Sequence, residues 1–117
     1  MIYTIVNDHD DVRVITLLVD VIQFNNYEEI FNRIKTFISD EAFQIVLDME
    51  KVQFMDSIAL GMLVPLLLYA KRLGGSLKIA KLNPNIHKLF HVLQLDKIIS
   101  IYDTVEDAVK SFQGRPL

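Results

Sequence analysis

Gln53-Phe54-Met55-Asp56-Ser57-Ile58-Ala59-Leu60-Gly61-Met62-Leu63-Val64-Pro65-Leu66-Leu67-Leu68-Tyr69-Ala70-Lys71-Arg72-Leu73-Gly74-Gly75 is the stretch around which the chain is organised. It holds one polar step, Asp56-Ser57, with apolar residues on both sides. Val52, Phe54 and Met55 read as the end of an extended segment, whereas Ile58 to Ala70 carries no charge, so a buried helix is expected to begin at the step. Ser57 is then the expected N-cap, with its hydroxyl near free amides. Lys71 and Arg72 complement the negative end of the helix dipole, and Gly74-Gly75 supplies the left-handed backbone that stops it. Pro65 removes a hydrogen bond and crowds the carbonyl of Gly61, which predicts a bend between Gly61 and Pro65.

The chain has 117 residues, 51% of them apolar, which suits one domain burying roughly two-thirds of its unfolded surface. A formal charge of −3 with dispersed basic residues gives no concentrated basic face, so neither nucleic acid nor an anionic membrane is an expected partner. Cysteine is absent, which excludes disulfides and thiolate metal sites and fits a reducing cytosol. The N-terminus lacks a basic region followed by an apolar core, so no signal peptide is expected. The uncharged run Ile58 to Ala70 falls short of the ~20 residues that span a bilayer. A cytoplasmic protein without membrane insertion is the expectation.

Ile2 to Val6 and Val12 to Val19 are rich in β-branched residues and flank the polar cluster Asn7 to Asp11, which predicts a hairpin with its first strand at an edge. Tyr27, Ile30, Phe31, Ile34, Phe37 and Ile38 recur at helical spacing, and Asn25 with Glu28 resembles a capping box. Ile45 to Leu47 with Asp48 and Met49 reads as a central strand buried on both faces. Leu77 and Ile79 mark another strand, and Asn83-Pro84 opens a helix with Ile86, Leu89, Phe90 and Leu93 on its inner side. Ile98 to Tyr102 predicts a short strand. Thr104 with Asp107 caps a last helix with Val105, Ala108, Val109 and Phe112 inward. Strands and helices alternate from Val12 onward, so the fold class is α/β, a mostly parallel mixed sheet of four to five strands with about four helices. The domain is expected to run over 1–112, with a loose tail at 113–117.

Phe54-Met55-Asp56-Ser57-Ile58-Ala59-Leu60-Gly61 resembles the signature of STAS domains and, within them, of bacterial anti-sigma factor antagonists: an apolar pair, then Asp-Ser-Ser/Thr-Gly-Leu-Gly. Asp56, Ser57, Leu60 and Gly61 match, whereas Ile58 stands in place of a second hydroxyl and Ala59 in place of glycine. Lys71 to Gly75, the strand Ser76 to Ala80, Asn83-Pro84, Leu95 to Lys97 and the segment Ile98 to Phe112 extend the resemblance over nearly the whole chain. It implies a phosphorylation-switched binding module that is no enzyme. Its partners would be an anti-sigma factor serine kinase and a phosphatase, with transcription regulated through a sigma factor. The resemblance makes Ser57 the phosphorylation site and Asp56, Ser57, Ile58, Ala59, Leu60, Gly61 and Met62 the partner-binding segment, with no cofactor because ATP belongs to the kinase. The alternative is a constitutive STAS scaffold, or a subunit of a larger regulatory or transport assembly, in which Ser57 is only a helix cap.

A phosphate on Ser57 would add about −1.5 to −2 charges, which helix amides could solvate and Asp56 would repel. The apolar residues around the helix, Leu60 to Tyr69, read equally as a covered central helix or a partly exposed docking surface. His87 and His91 share a helix face at the spacing of metal ligands, but no further ligand is evident, so a solvated face is expected and no metal. Catalysis would need Ser57 as nucleophile with His9, His87 or His91 as base. Neither Gly-x-Ser-x-Gly nor a glycine-rich phosphate loop is present. Asp48 and Asp56 read as a strand end and a loop support, not as a catalytic pair.

Overall fold

The computed structural model describes residues 4–113. The chain opens with an antiparallel hairpin of β1 (Thr4–His9) and β2 (Val12–Leu17), turned at Asp10-Asp11. β1 runs deeper into the polar cluster than its composition suggests, whereas β2 starts at Val12 as expected and ends at Leu17, short of Val19. Asp10 closes the turn in the left-handed region (φ 58°), which a short polar side chain tolerates. A short strand β3 (Val21–Ile22) leads to helix α1 (Tyr27–Lys35), followed by β4 (Gln44–Asp48) and a second short strand, β5 (Phe54–Met55).

Two helices, α2 (Ser57–Gly61) and α3 (Leu63–Arg72), then occupy the long apolar run. The expected bend is a division at Met62. Because α3 restarts at Leu63, Pro65 falls in its first turn, where its missing N–H has no intrahelical acceptor to lose. After α3 come β6 (Ser76–Ala80), α4 (Pro84–Val92), a 3-10 turn (Leu95–Lys97), β7 (Ile101–Tyr102) and α5 (Val105–Gln113). Helix α5 includes Gln113, the first residue of the expected tail; Ile2 and Tyr3 of the expected first strand and the tail residues 114–117 lie outside the described residues.

The main sheet has five strands in the order β1-β2-β4-β6-β7, parallel except for the β1–β2 pair. Strands β3 and β5 form a separate parallel pair in which Val21 faces Phe54. The two-residue period sorts side chains to opposite faces of the main sheet. Ile15, Leu17, Ile45, Leu47, Leu77 and Ile79 join Ile30, Ile34, Leu63, Leu67, Ile86 and Phe90 in the larger core. Val12, Val14, Val46 and Ala80 face the other way and meet Ala108 and Val109 of α5. That face also holds Lys78, whose ammonium donates to Ser111 Oγ at 2.7 Å and lies 4.1 Å from the Phe112 ring centre. Helices thus cover both faces, as a parallel sheet requires.

Local expectations are corrected in two places. Helix α1 is entered from Asn26, not from an Asn25–Glu28 box, and the Asn26 side chain ties the preceding turn instead of the helix. Its Oδ1 accepts from the Gln23 N–H at 2.7 Å, and its Nδ2 donates to the Val21 carbonyl at 2.8 Å. The strand expected over Ile98 to Tyr102 shrinks to Ile101–Tyr102, because the amides of Ile98 and Ile99 both bond back to the Leu95 carbonyl. The caps of α4 and α5 form as read: Asn83 Oδ1 accepts from Asn85 N–H, and Thr104 Oγ1 from Asp107 N–H. No helix among the described residues is long and apolar enough to cross a membrane.

Candidate functional site

The β5–α2 junction turns an extended strand into a helix within one residue. Asp56 is still extended (φ −84°, ψ 173°), and Ser57 is the first residue of α2. The N-cap is therefore Asp56, and the expectation that Ser57 fills this role is corrected. The physical reason is reach: a cap side chain folds forward onto an amide two or three residues on, and Asp56 Oδ1 accepts from Ala59 N–H at 2.8 Å. The second carboxylate oxygen accepts from Phe24 N–H at 2.9 Å. One carboxylate thus holds together the start of α2 and the β3–α1 loop.

With that amide taken, Ser57 is left exposed, and its hydroxyl makes no hydrogen bond among the described residues. Its surroundings are apolar and solvent-facing. Phe24 is 64% exposed, Phe54 50%, Ile58 51% and Met62 37%. Phe54, on β5, precedes Asp56 by two positions, Ile58 and Met62 are four apart at helical spacing, and the Asp56 bond holds the Phe24 backbone beside them.

The segment assigned to partner binding divides accordingly. Ser57, Ile58, Gly61 and Met62 face solvent and Asp56 is half-buried, whereas Ala59 and Leu60 are fully buried in the larger core. The helical period turns positions 59 and 60 inward when 58 and 62 face out, so neither presents a surface in the free chain. Phe24 was not among the sequence candidates. Its signal is a lone aromatic residue between Gln23 and Asn25-Asn26, a composition that reads as an ordinary turn.

The other titratable candidates stay apart from this junction. Asp48 is held by Glu50 N–H at 3.1 Å and Thr16 Oγ1 at 3.4 Å, which fits a strand end. His91 Nδ1 lies 2.7 Å from Asp96 Oδ2, and this hydrogen bond holds the Asp96 carboxyl below its usual range. His87 lies beside His91 on the outer side of α4, next to Pro84, Lys88 and Val92. Among the described residues no group of His, Asp and Glu is gathered as a metal ion would need.

A family model described as the STAS domain matches residues 3–108. A candidate anti-sigma factor antagonist of Thermotoga neapolitana is 32% identical over 72 residues, 62% of this chain and 64% of that one. This chain thus spans less than two-thirds of that relative's length. An anti-sigma F factor antagonist of Paenibacillus polymyxa is 34% identical over 80 residues, 63% of this chain and 68% of the relative. The crystal structure of an anti-sigma factor antagonist from Mycobacterium paratuberculosis superposes with a TM-score of 0.80 at 25% identity, covering 95% of this chain and 93% of that one. The Bacillus cell fate determinant SpoIIAA, in its phosphorylated form, shares the fold with a TM-score of 0.65 at 20% identity, over 92% of this chain and 97% of that one.

Proposed function

The chain belongs to the STAS domain family, and from that premise we propose that it is a phosphorylation-switched anti-sigma factor antagonist acting in the cytoplasm. Unphosphorylated, it binds a serine kinase that is also the anti-sigma factor, and so frees the sigma factor. Phosphorylation of Ser57 releases it, and a phosphatase resets it. The chain performs no chemistry of its own; the kinase brings ATP. The observation that carries this reading is the exposed, unbonded Ser57 hydroxyl beside exposed Phe24, Phe54, Ile58 and Met62.

The physical basis is discrimination at a surface. A kinase site that accepts a neutral hydroxyl amid apolar contacts rejects a phosphate through desolvation and repulsion. About 3 kcal/mol of such discrimination weakens binding more than a hundredfold. Exposed aromatic side chains on a backbone fixed by hydrogen bonds are well suited as anchors, because little backbone freedom remains to be lost on docking.

The test is a titration of the cognate kinase with three forms of the full chain. Ser57→Ala is expected to bind within about threefold of the parent, and Ser57→Asp to bind at least about tenfold more weakly. Kinase and ATP are expected to add one phosphate to the parent and none to Ser57→Ala. Equal affinity of the two variants, with no phosphate transferred, would refute the switch and leave a constitutive scaffold.

A further inference from the structure

Helices α1 and α3 each connect strands of one parallel arrangement, so they run side by side in the same direction. The Lys35 ammonium lies 4.8 Å from the centre of the Tyr69 ring, joining the two helices. Between them lies a half-open cleft of about 280 Å³, lined by Tyr27, Phe31, Pro65, Leu66 and Tyr69 among others. Lys35 and Arg72 stand at its C-terminal end and Glu28 at its N-terminal end. This volume lies just under the ~300–1,000 Å³ of drug-sized ligand sites, so the occupant is small.

Charge selects the kind of occupant. Helix dipoles account for basic residues at helix ends, but each supplies only about half a negative charge. Of the basic residues in the last turns of α1 and α3, Lys35 and Arg72 line the cleft, and their two full charges exceed what two dipoles balance. In a chain of net charge −3 this end of the cleft is locally positive. The Arg72 guanidinium has no carboxylate partner among the described residues. We propose that the α1–α3 cleft is a binding site for a small organic monoanion, with its carboxylate between Lys35 and Arg72 and its flat apolar body against Phe31, Pro65 and Leu66. Met62, which follows α2 directly, lines the same cleft, so an occupant touches the close of the helix that carries Ser57.

The experiment is a nitrogen-15 NMR titration of the full chain with 1-naphthaleneacetate, and with 1-naphthaleneacetamide as the uncharged match. The acid is expected to shift the amides of Phe31, Lys35, Met62, Leu66 and Tyr69 saturably and to bind roughly fivefold more tightly than the amide. Lys35→Gln and Arg72→Gln each reduce affinity for the acid about threefold and leave the amide unchanged, Arg72→Lys retains most of it, and Glu28→Gln raises it. Spectral dispersion in each variant reports that the fold is kept. Equal affinity for acid and amide, shifts centred away from α1 and α3, or no saturation by concentrations on the order of 10 mM overturns the site.

Discussion

Replacing Asp56 by alanine removes two hydrogen bonds through one carboxylate, to Ala59 N–H at 2.8 Å and to Phe24 N–H at 2.9 Å. Loss of the helix cap costs about 1 kcal/mol. Loss of the second, solvent-exposed bond costs about 1 kcal/mol more, taken at the low end for a charged acceptor because water replaces it. Asp56→Ala is therefore expected to destabilise by roughly 2 kcal/mol, and Asp56→Asn, which keeps one acceptor oxygen, by about half as much. With a urea m-value near ~1.5 kcal/mol/M, the unfolding midpoint falls by about 1.3 M for alanine and about 0.7 M for asparagine. Hydrogen exchange adds a local readout: the Phe24 amide loses protection in Asp56→Ala well beyond the global change, while amides in β4 follow the global change alone. Equal midpoints for the two variants, or a loss below ~0.5 kcal/mol for alanine, would refute the bridging role.

Four further outcomes are expected from the same geometry. A methyl at Gly75 would stand 1.9 Å from the Phe43 carbonyl oxygen, so Gly75→Ala should cost more than about 3 kcal/mol by urea unfolding. Gly61, by contrast, ends α2 with nothing within 4 Å of an added methyl, so Gly61→Ala should stabilise by up to ~1 kcal/mol. Arg13 lowers the pKa of Asp8 below its ordinary 3.8, chiefly by hydrogen bonding. That contribution is complete above the unfolded value and is lost as pH falls through the folded one. The stability gap between the parent and Arg13→Gln should thus narrow below about pH 4, yet persist in part because Arg13 also donates to the Phe37 carbonyl. Ser57→Ala should change stability by less than ~0.5 kcal/mol, because the cap is Asp56.

The elements that periodicity and capping announce were legible in the sequence. Runs such as Ile45 to Leu47 alternate between two cores, and Asn83-Pro84 and Thr104 cap as their chemistry dictates. Phe54 and Met55 read as extended, but β3 and its pairing with β5 escaped because two residues are too few for a period of two to register. Asp56 and Ser57 are both good capping residues, and composition cannot say which is still extended when the helix begins. Backbone geometry gives the role to Asp56. Ala59 and Leu60 lie within the signature and were read with it, but a helix exposes only part of each turn, and they face the core. Phe24 was hidden by distance along the chain, since its bond to Asp56 joins residues 32 apart.

The division of roles between adjacent residues bears on how a modification there could act. A phosphate drawn onto a capping amide of α2 would reorganise the helix start, coupling modification to fold. Here the Ala59 amide is already bonded to Asp56, and Ser57 points its hydroxyl to solvent without a protein partner among the described residues. A dianion at Ser57 therefore has water as its solvent and the Asp56 carboxylate as its near neighbour. Repulsion between them is weak while the site is open, because water at high dielectric screens it, and grows steeply when a docking partner excludes that water. The free protein can then carry the modified residue at little cost in stability, and the penalty falls on the complex. The same reasoning separates the two departures from the family pattern: Ile58 is exposed beside Ser57 and adds apolar surface there, whereas Ala59 is buried and bears on how well α2 packs.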